Sequence, residues 1–269
     1  MNPIKLKLAA LVFVGFGSSI SSAAASTILG SAANFAVLGG STVTNTGSTT
    51  IHGDLGLWPG TSITGLDSIS ITGSVHDADE VARQAQADAV SAYNFFSEQT
   101  SGPFSNLSGY DLGTVGVLRP GVYRFDSSAH LTGLLTLDAA GDPNASFIFQ
   151  IGSSLTTASH AVLDVINGGP GAGVFFQVGS SATLGTGTLF EGNILANQSI
   201  TLASSTAISC GRALALNAAV TMDSNTVSND CGSNGSLRGG QAVPEPAPFA
   251  LVGIGLFGLI ASRRRRSGP

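Results

Sequence analysis

Short apolar-polar-apolar triplets mark the second half of the chain: Ala182-Thr183-Leu184, Ile200-Thr201-Leu202 and Val220-Thr221-Met222, each set off by Gly, Ser or Asn. Successive side chains of a strand point to opposite sides, so each triplet reads as a short strand with one buried face. Leu195-Ala196-Asn197 and Ser205-Thr206 return as Leu216-Asn217 and Asn225-Thr226. The spacing of about twenty residues predicts the stacked coils of a solenoid. Phe149-Gln150-Ile151-Gly152-Ser153-Ser154 likewise recurs as Phe176-Gln177-Val178-Gly179-Ser180-Ser181.

One stretch follows a different period. From Asp79 to Ser97 there is no Gly or Pro, and Val81, Ala85, Ala89, Ala92, Tyr93 and Phe96 recur at helical spacing. This predicts one amphipathic helix over about 78–98, with Asp77 and Glu80 as a capping box and Gly102-Pro103 as the stop. Arg83, Gln84, Gln86, Asp88 and Asn94 fall on its polar face, which turns the apolar stripe toward the solenoid's side.

Both ends carry processing signals. Lys5 and Lys7, the apolar run from Leu8 to Phe16, and Ala23-Ala24-Ala25 form the charged, apolar and small-residue sections of a secretory signal peptide over 1–25, with cleavage expected before Ser26. That apolar run is too short to cross roughly 30 Å of hydrocarbon, which argues against a membrane anchor. At the other end, Pro244-Glu245-Pro246 precedes an apolar stretch from Ala247 to Ala261 and then Arg263, Arg264, Arg265 and Arg266. The order resembles the PEP-CTERM sorting tail of Gram-negative bacteria, over 243–269, and the resemblance implies an exosortase-type enzyme as processing partner. The arginines would hold that end in the cytoplasm while the short helix parks the chain in the inner membrane, before display at the cell surface or secretion.

Between the signals, 26–231 reads as one domain, followed by a Gly/Ser-rich linker over 232–242. The chain has 269 residues, 43% apolar and only 10% charged, enough for a single well-buried core. Its 36 glycines, with Ser and Thr outnumbering Lys and Glu, place it in the mostly β class. A net charge of −5 excludes a phosphate-neutralising nucleic-acid surface. The two cysteines, Cys210 and Cys231, both lie in the exported part and are expected to pair as one disulfide; a metal pair would lack nearby His or Cys partners.

Phe35-Ala36-Val37-Leu38-Gly39-Gly40-Ser41-Thr42-Val43-Thr44-Asn45-Thr46-Gly47, followed by Gly53-Asp54-Leu55-Gly56 and Pro59-Gly60, resembles the opening of the ice-binding-protein-like family. Leu118-Arg119-Pro120-Gly121-Val122-Tyr123, Phe147 to Thr157, Val178 to Thr188, Gly211-Arg212-Ala213-Leu214-Ala215 and Val220 to Thr226 continue the match in order. The resemblance implies a right-handed, discontinuous, triangular β-solenoid with one long helix packed alongside. It also implies adsorption to ice or its ordered water through one flat face, by a monomer that needs no cofactor.

Coils stacked at the ~4.7–4.9 Å spacing of neighbouring strands turn one outward residue per coil into a regular array. Threonine suits such an array: its methyl group orders nearby water, its hydroxyl hydrogen-bonds, and its β-branch limits rotation. The primary candidates are Thr188, Thr206 and Thr226, extended by Thr46 and Thr49; the alternative ladder is Thr183, Thr201 and Thr221, and Thr42 and Thr44 are further N-terminal positions that would lengthen either one. Family members often carry Thr-Ala/Gly-X-Thr/Asn on the binding face, which appears here only as Thr46-Gly47-Ser48-Thr49, with Thr206-Ala207-Ile208-Ser209 as a near match.

Catalysis on a polysaccharide would need clustered carboxylates. His52 with Asp54, His76 with Asp77 and Asp79, and the scattered Asp111, Asp126, Asp138, Asp164 and Glu191 read instead as turn formers and caps, and their spacings match no dedicated metal site. The rival to ice binding is a non-catalytic adhesin or exopolysaccharide-matrix protein. Exposed aromatics in a groove would favour sugar, yet aromatics total 7% and Trp58, the sole tryptophan, abuts the Pro59-Gly60 turn.

Overall fold

A computed structural model describes residues 28–100, 104–142, 144–168 and 173–230. The strand pairings are parallel throughout, as a chain wound repeatedly in one direction requires. The pairings define three faces. One is a seven-stranded sheet in the spatial order Ala129–Leu131, Leu155–Thr157, Ala182–Leu184, Ile200–Leu202, Val220–Asp223, Thr42–Thr46 and Ser62–Thr64. The other two belong to a fifteen-stranded sheet, joined because Leu189–Ala196 and Ala207–Ala215 bend around a corner and serve both. The bends fall at Gly192 and at Cys210-Gly211, where the backbone enters the left-handed region at Gly192 (φ +130°) and Cys210 (φ +49°). A Cβ at Gly211 would run into the Gly192 carbonyl oxygen on the coil below, so the stacked corner demands glycine.

The stack is discontinuous. Phe35–Gly39, Thr42–Thr46 and Thr49–His52 pair with Ala207–Ala215, Val220–Asp223 and Thr226–Ser228, so the first coils of the chain sit on its last ones. After Val75–Asp77 the chain must return to the opposite end of the stack, where Phe104–Asn106 begins the remaining coils. At the usual strand spacing that distance is about 38 Å. Helix α1, Glu80–Ser97, covers about 27 Å of it along one face.

The helix is cut as its period demands, with three differences. Asp79 is the N-cap, its side chain accepting from Ala82 N at 2.8 Å, whereas the expected cap Asp77 ends a strand. Ala82 is buried and Val81 is 48% exposed, so the apolar stripe begins at Ala82 rather than at Val81. Gln86, expected on the polar face, is buried; its Nε2 donates to the carbonyls of Ala215 and Leu216 and ties the helix to a strand end. Ala85, Ala89, Ala92 and Phe96 pack on Leu38, Val122, Ile148, Phe175, Leu195 and Leu214, and Phe96 stacks on Phe175 with centroids 4.3 Å apart.

Inside the coils, the repeated Phe-Gln-Ile/Val segments lie in register, Phe149 beside Phe176 and Gln150 beside Gln177. Tyr123, Phe149, Phe176 and Phe190 form a continuous ring column with centroid separations of 5.2, 4.4 and 5.0 Å. Cys210 is buried, and its expected partner Cys231 lies outside the described residues, as do the signal segment, the linker and the sorting tail. Among the described residues no helix is long and apolar enough to cross a membrane; the expected C-terminal span falls outside them.

Phe176 has ring neighbours on both sides and no solvent exposure, so Phe176→Ala is expected to cost about 3–5 kcal/mol. Denaturant titration should show a lower midpoint with an unchanged slope.

Candidate functional site

Of the three faces, one is covered by α1. A second carries a mixed column: Leu134, Val162 and Leu189 in register at one end, Ala207, Thr226, Thr50 and Ser70 at the other. The third is the seven-stranded sheet, whose strands are three to five residues long and alternate strictly.

Its inward positions are apolar or small: Leu155, Ala182, Ile200, Val220 and Val43 lie side by side and are buried. The outward residue between them is threonine on rung after rung. Thr156 pairs with Thr183, Thr183 with Thr201, Thr201 with Thr221, Thr221 with Thr44 and Thr44 with Thr64. All six are half-exposed or exposed. At strand spacing the row spans about 24 Å. His130, beside Thr156, occupies the next rung, and Asp111 bridges to it. Serines 154, 181 and 199 flank the row on one side, the last two joined by a hydroxyl hydrogen bond of 3.0 Å, and Ala158, Gly185 and Ala203 flank it on the other. The surface is therefore built mostly from small polar and apolar groups around a central line of β-branched hydroxyls, with Asp223, paired with Thr46, as the charged group at one margin.

The alternative ladder read from the sequence, Thr183, Thr201 and Thr221, is the centre of this row. Thr156 and Thr64 were not singled out; both stand where the apolar-polar alternation of Leu155-Thr156-Thr157 and Ile63-Thr64 would put an outward residue. Thr42 and Thr46 lie two residues to either side of Thr44, on the same side of the strand.

The other proposed ladder does not form a surface. Thr188 and Thr206 are fully buried and Thr49 is 1% exposed. Thr188 Oγ1 donates to Gly185 O at 2.7 Å and meets Thr157 Oγ1 at 2.8 Å, Thr206 Oγ1 donates to Gly185 O at 3.0 Å, and Thr49 Oγ1 donates to Asn45 Oδ1 at 2.6 Å. These residues follow tight corners, Gly187 and Ser205 being left-handed, where the turning chain leaves carbonyls without ladder partners. The Thr188 and Thr206 hydroxyls join the Thr188 N–H on the Gly185 carbonyl, and the Thr49 hydroxyl is taken by Asn45, so all three are used inside the stack rather than at a surface. Thr226 is exposed but belongs to the mixed face, beside Thr50 and Ala207.

The ionisable groups are used locally. Asp111 accepts from Gly113 N and Thr132 N at 2.8 and 3.0 Å, and Asp138 accepts from Ala140 N and pairs with Arg119 at 3.0 Å. Glu191, on the mixed face, is the exception in charge balance: burial pushes its carboxyl up, the Val165 N–H at 3.0 Å opposes this, and neighbouring Asp164 adds to the rise. Among the described residues no group of three His, Cys, Asp or Glu is placed to hold a metal ion.

A family model described as ice-binding-like matches residues 37–228. The chain belongs to this family. It is 51% identical over 259 residues to an ice-binding protein of Nostoc sp. (strain HG1), covering 95% of this chain and 94% of that one. It is 31% identical over 229 residues to ice-binding protein 1 of Shewanella frigidimarina (strain NCIMB 400), covering 74% of this chain and 25% of that one. Two solved ice-binding proteins share the fold. One, from an Antarctic biological consortium, has a TM-score of 0.70 and 44% identity, over 74% of this chain and 89% of that one. The other, from the Antarctic ascomycete Antarctomyces psychrotrophicus, has a TM-score of 0.67 and 38% identity, over 76% and 98%. A model of the PEP-CTERM protein-sorting motif matches residues 242–266 of this family member.

Two outcomes follow from the buried groups. Thr188→Val keeps the shape and deletes a hydroxyl with three partners, so it should destabilise the fold by about 1–3 kcal/mol in urea unfolding while leaving the threonine row intact. For Glu191, a folded-state value raised above the ordinary 4.5 means that the folded chain holds the proton more tightly than the unfolded one. Stability is then lost as pH rises from the ordinary value through the raised one. Glu191→Gln should gain on the parent over that interval and hold a constant advantage above it, read from unfolding midpoints across the pH series.

Proposed function

We propose that this protein is an exported, non-catalytic ice-binding protein that adsorbs to ice through the row Thr64, Thr44, Thr221, Thr201, Thr183 and Thr156. The unbroken register of the six threonines carries the reading. A parallel stack sets their spacing, and the restricted χ1 of threonine leaves little side-chain entropy to lose on adsorption. Each methyl and hydroxyl makes a weak contact; affinity is the sum of many that are already in place. The names of its relatives, ice-binding proteins of bacteria and fungi, point the same way.

The rest of the chain serves export in this reading. Cleavage before Ser26 releases a domain over 26–231, closed by a Cys210–Cys231 disulfide, and 232–242 acts as a flexible tether. Pro244-Glu245-Pro246, the apolar helix and Arg263 to Arg266 hold the chain transiently in the inner membrane until an exosortase-type enzyme acts on it. The domain works as a monomer without a cofactor.

Ice-crystal shaping and thermal hysteresis test the face. Thr183→Tyr places a bulky ring at the centre of the row and should abolish faceting, whereas Thr226→Tyr, on the mixed face, should leave it unchanged. Round crystals from the parent protein at high concentration would overturn ice binding and leave the adhesin or matrix reading.

A further inference from the structure

The threonine row is assembled from two distant parts of the chain. Thr156, Thr183, Thr201 and Thr221 come from the late coils, Thr44 and Thr64 from the first ones, and they meet where Val220–Asp223 pairs with Thr42–Thr46. Flatness across that seam depends on how the first coils seat on the last.

Arg212 lies at this seam and is 2% exposed. Its Nε and Nη2 donate to the Ala33 carbonyl at 2.9 and 2.6 Å, and its Nη1 donates to Asn193 Oδ1 at 2.8 Å. Asn193 in turn donates to Val174 O at 3.0 Å, one coil further on. Among the described residues no carboxylate lies within ion-pair distance of the guanidinium, and burial pushes its pKa down to about 10. A buried cation without a counter-ion is expensive, and an apolar side chain of similar length would pack there at lower cost. What the guanidinium supplies is direction, because two of its N–H groups converge on one carbonyl. That carbonyl stands two residues before Phe35–Gly39, whose Val37 pairs with Ala213, the neighbour of Arg212. The clamp thus joins the entry to the first coil directly to the strand on which it must seat. Asn229 Nδ2, donating to Asn34 O at 2.8 Å, braces the same entry from the other side.

We propose that Arg212 is a positioning residue for ice adsorption: by holding Ala33 it sets the first coils so that Thr44 and Thr64 stand level with Thr221. This rests on the threonine row being the ice-contacting surface. Backbone pairing along the seam supplies adhesion between the coils, and the guanidinium supplies their alignment.

The test combines amide exchange with thermal hysteresis on the whole exported protein. Arg212→Met should remain folded by circular dichroism while amides of 35–64 exchange roughly tenfold faster or more and those of 155–202 do not. Its thermal hysteresis should fall to the level of Thr44→Tyr, and the Arg212→Met/Thr44→Tyr double variant should fall no further; adding Thr156→Tyr to Arg212→Met should. Arg212→Lys, which keeps a donor for Ala33 but not the fork, should show the same pattern at smaller amplitude and serves if Arg212→Met does not fold. Exchange raised evenly over all coils, unchanged hysteresis, or full additivity with Thr44→Tyr would overturn the assignment. If Thr183→Tyr itself leaves ice shaping intact, the reading of the face has failed; if Thr183→Tyr abolishes shaping and Arg212→Met spares it, only the role of Arg212 has.

Discussion

Parallel stacking of short strands is the constraint on which the rest of the structure depends. Once one coil lies on another in register, every position in the repeat becomes a column, and each column must be filled by side chains that tolerate an identical neighbour a strand spacing away. Rings do this inside, where Phe149 and Phe176 are nearly coplanar in orientation, with 5° between them. Threonine does it outside. The same requirement places glycine on glycine at the Gly192 and Gly211 corner, since no Cβ fits between the stacked bends.

Polar residues inside the stack answer a different need. A corner interrupts the ladder, and its polar groups have no water to turn to; Thr188 and Thr206 add donors to the Gly185 carbonyl, and Thr49 donates to the Asn45 side chain. The chain thus uses threonine in two columns for opposite purposes. On the flat face the hydroxyl is left to solvent; at the corner it is consumed by the backbone. Rigidity at the corner supports regularity on the face, because the strands of the seven-stranded sheet are only three to five residues long and their ends are set by those turns.

The discontinuity in the winding adds a second requirement. A solenoid built in simple chain order would need no return path, but here α1 carries the chain back along the stack, burying alanines and Phe96 against one face. That covering removes a face from contact with solvent, and the mixed column on another leaves only one surface with a uniform outward residue. The seam created by the discontinuity is held by strand pairing, by Gln86 from the helix, and by Arg212 reaching the Ala33 carbonyl.

Local pattern was enough for much of this. Alternation in Ala182-Thr183-Leu184, Ile200-Thr201-Leu202 and Val220-Thr221-Met222 determined that these were strands with threonine on one side, and the helical period from Asp79 to Ser97 determined the one exception, because both periodicities are properties of the backbone itself. Parity within a strand was legible for the same reason. What the sequence could not decide was which side of a corner a threonine faces: Thr188 and Thr206 follow turns whose left-handed residues break the alternation, and only the packed coil shows that their hydroxyls point inward to Gly185. Spacing along the chain offered Thr44 as an extension of either ladder without choosing between them and left Thr64 out, since their place in the row is set when the first coils seat on the last. Contacts between residues so far apart in sequence are set by the closing of the stack, where buried area, hydrogen-bond satisfaction and register have to agree at once.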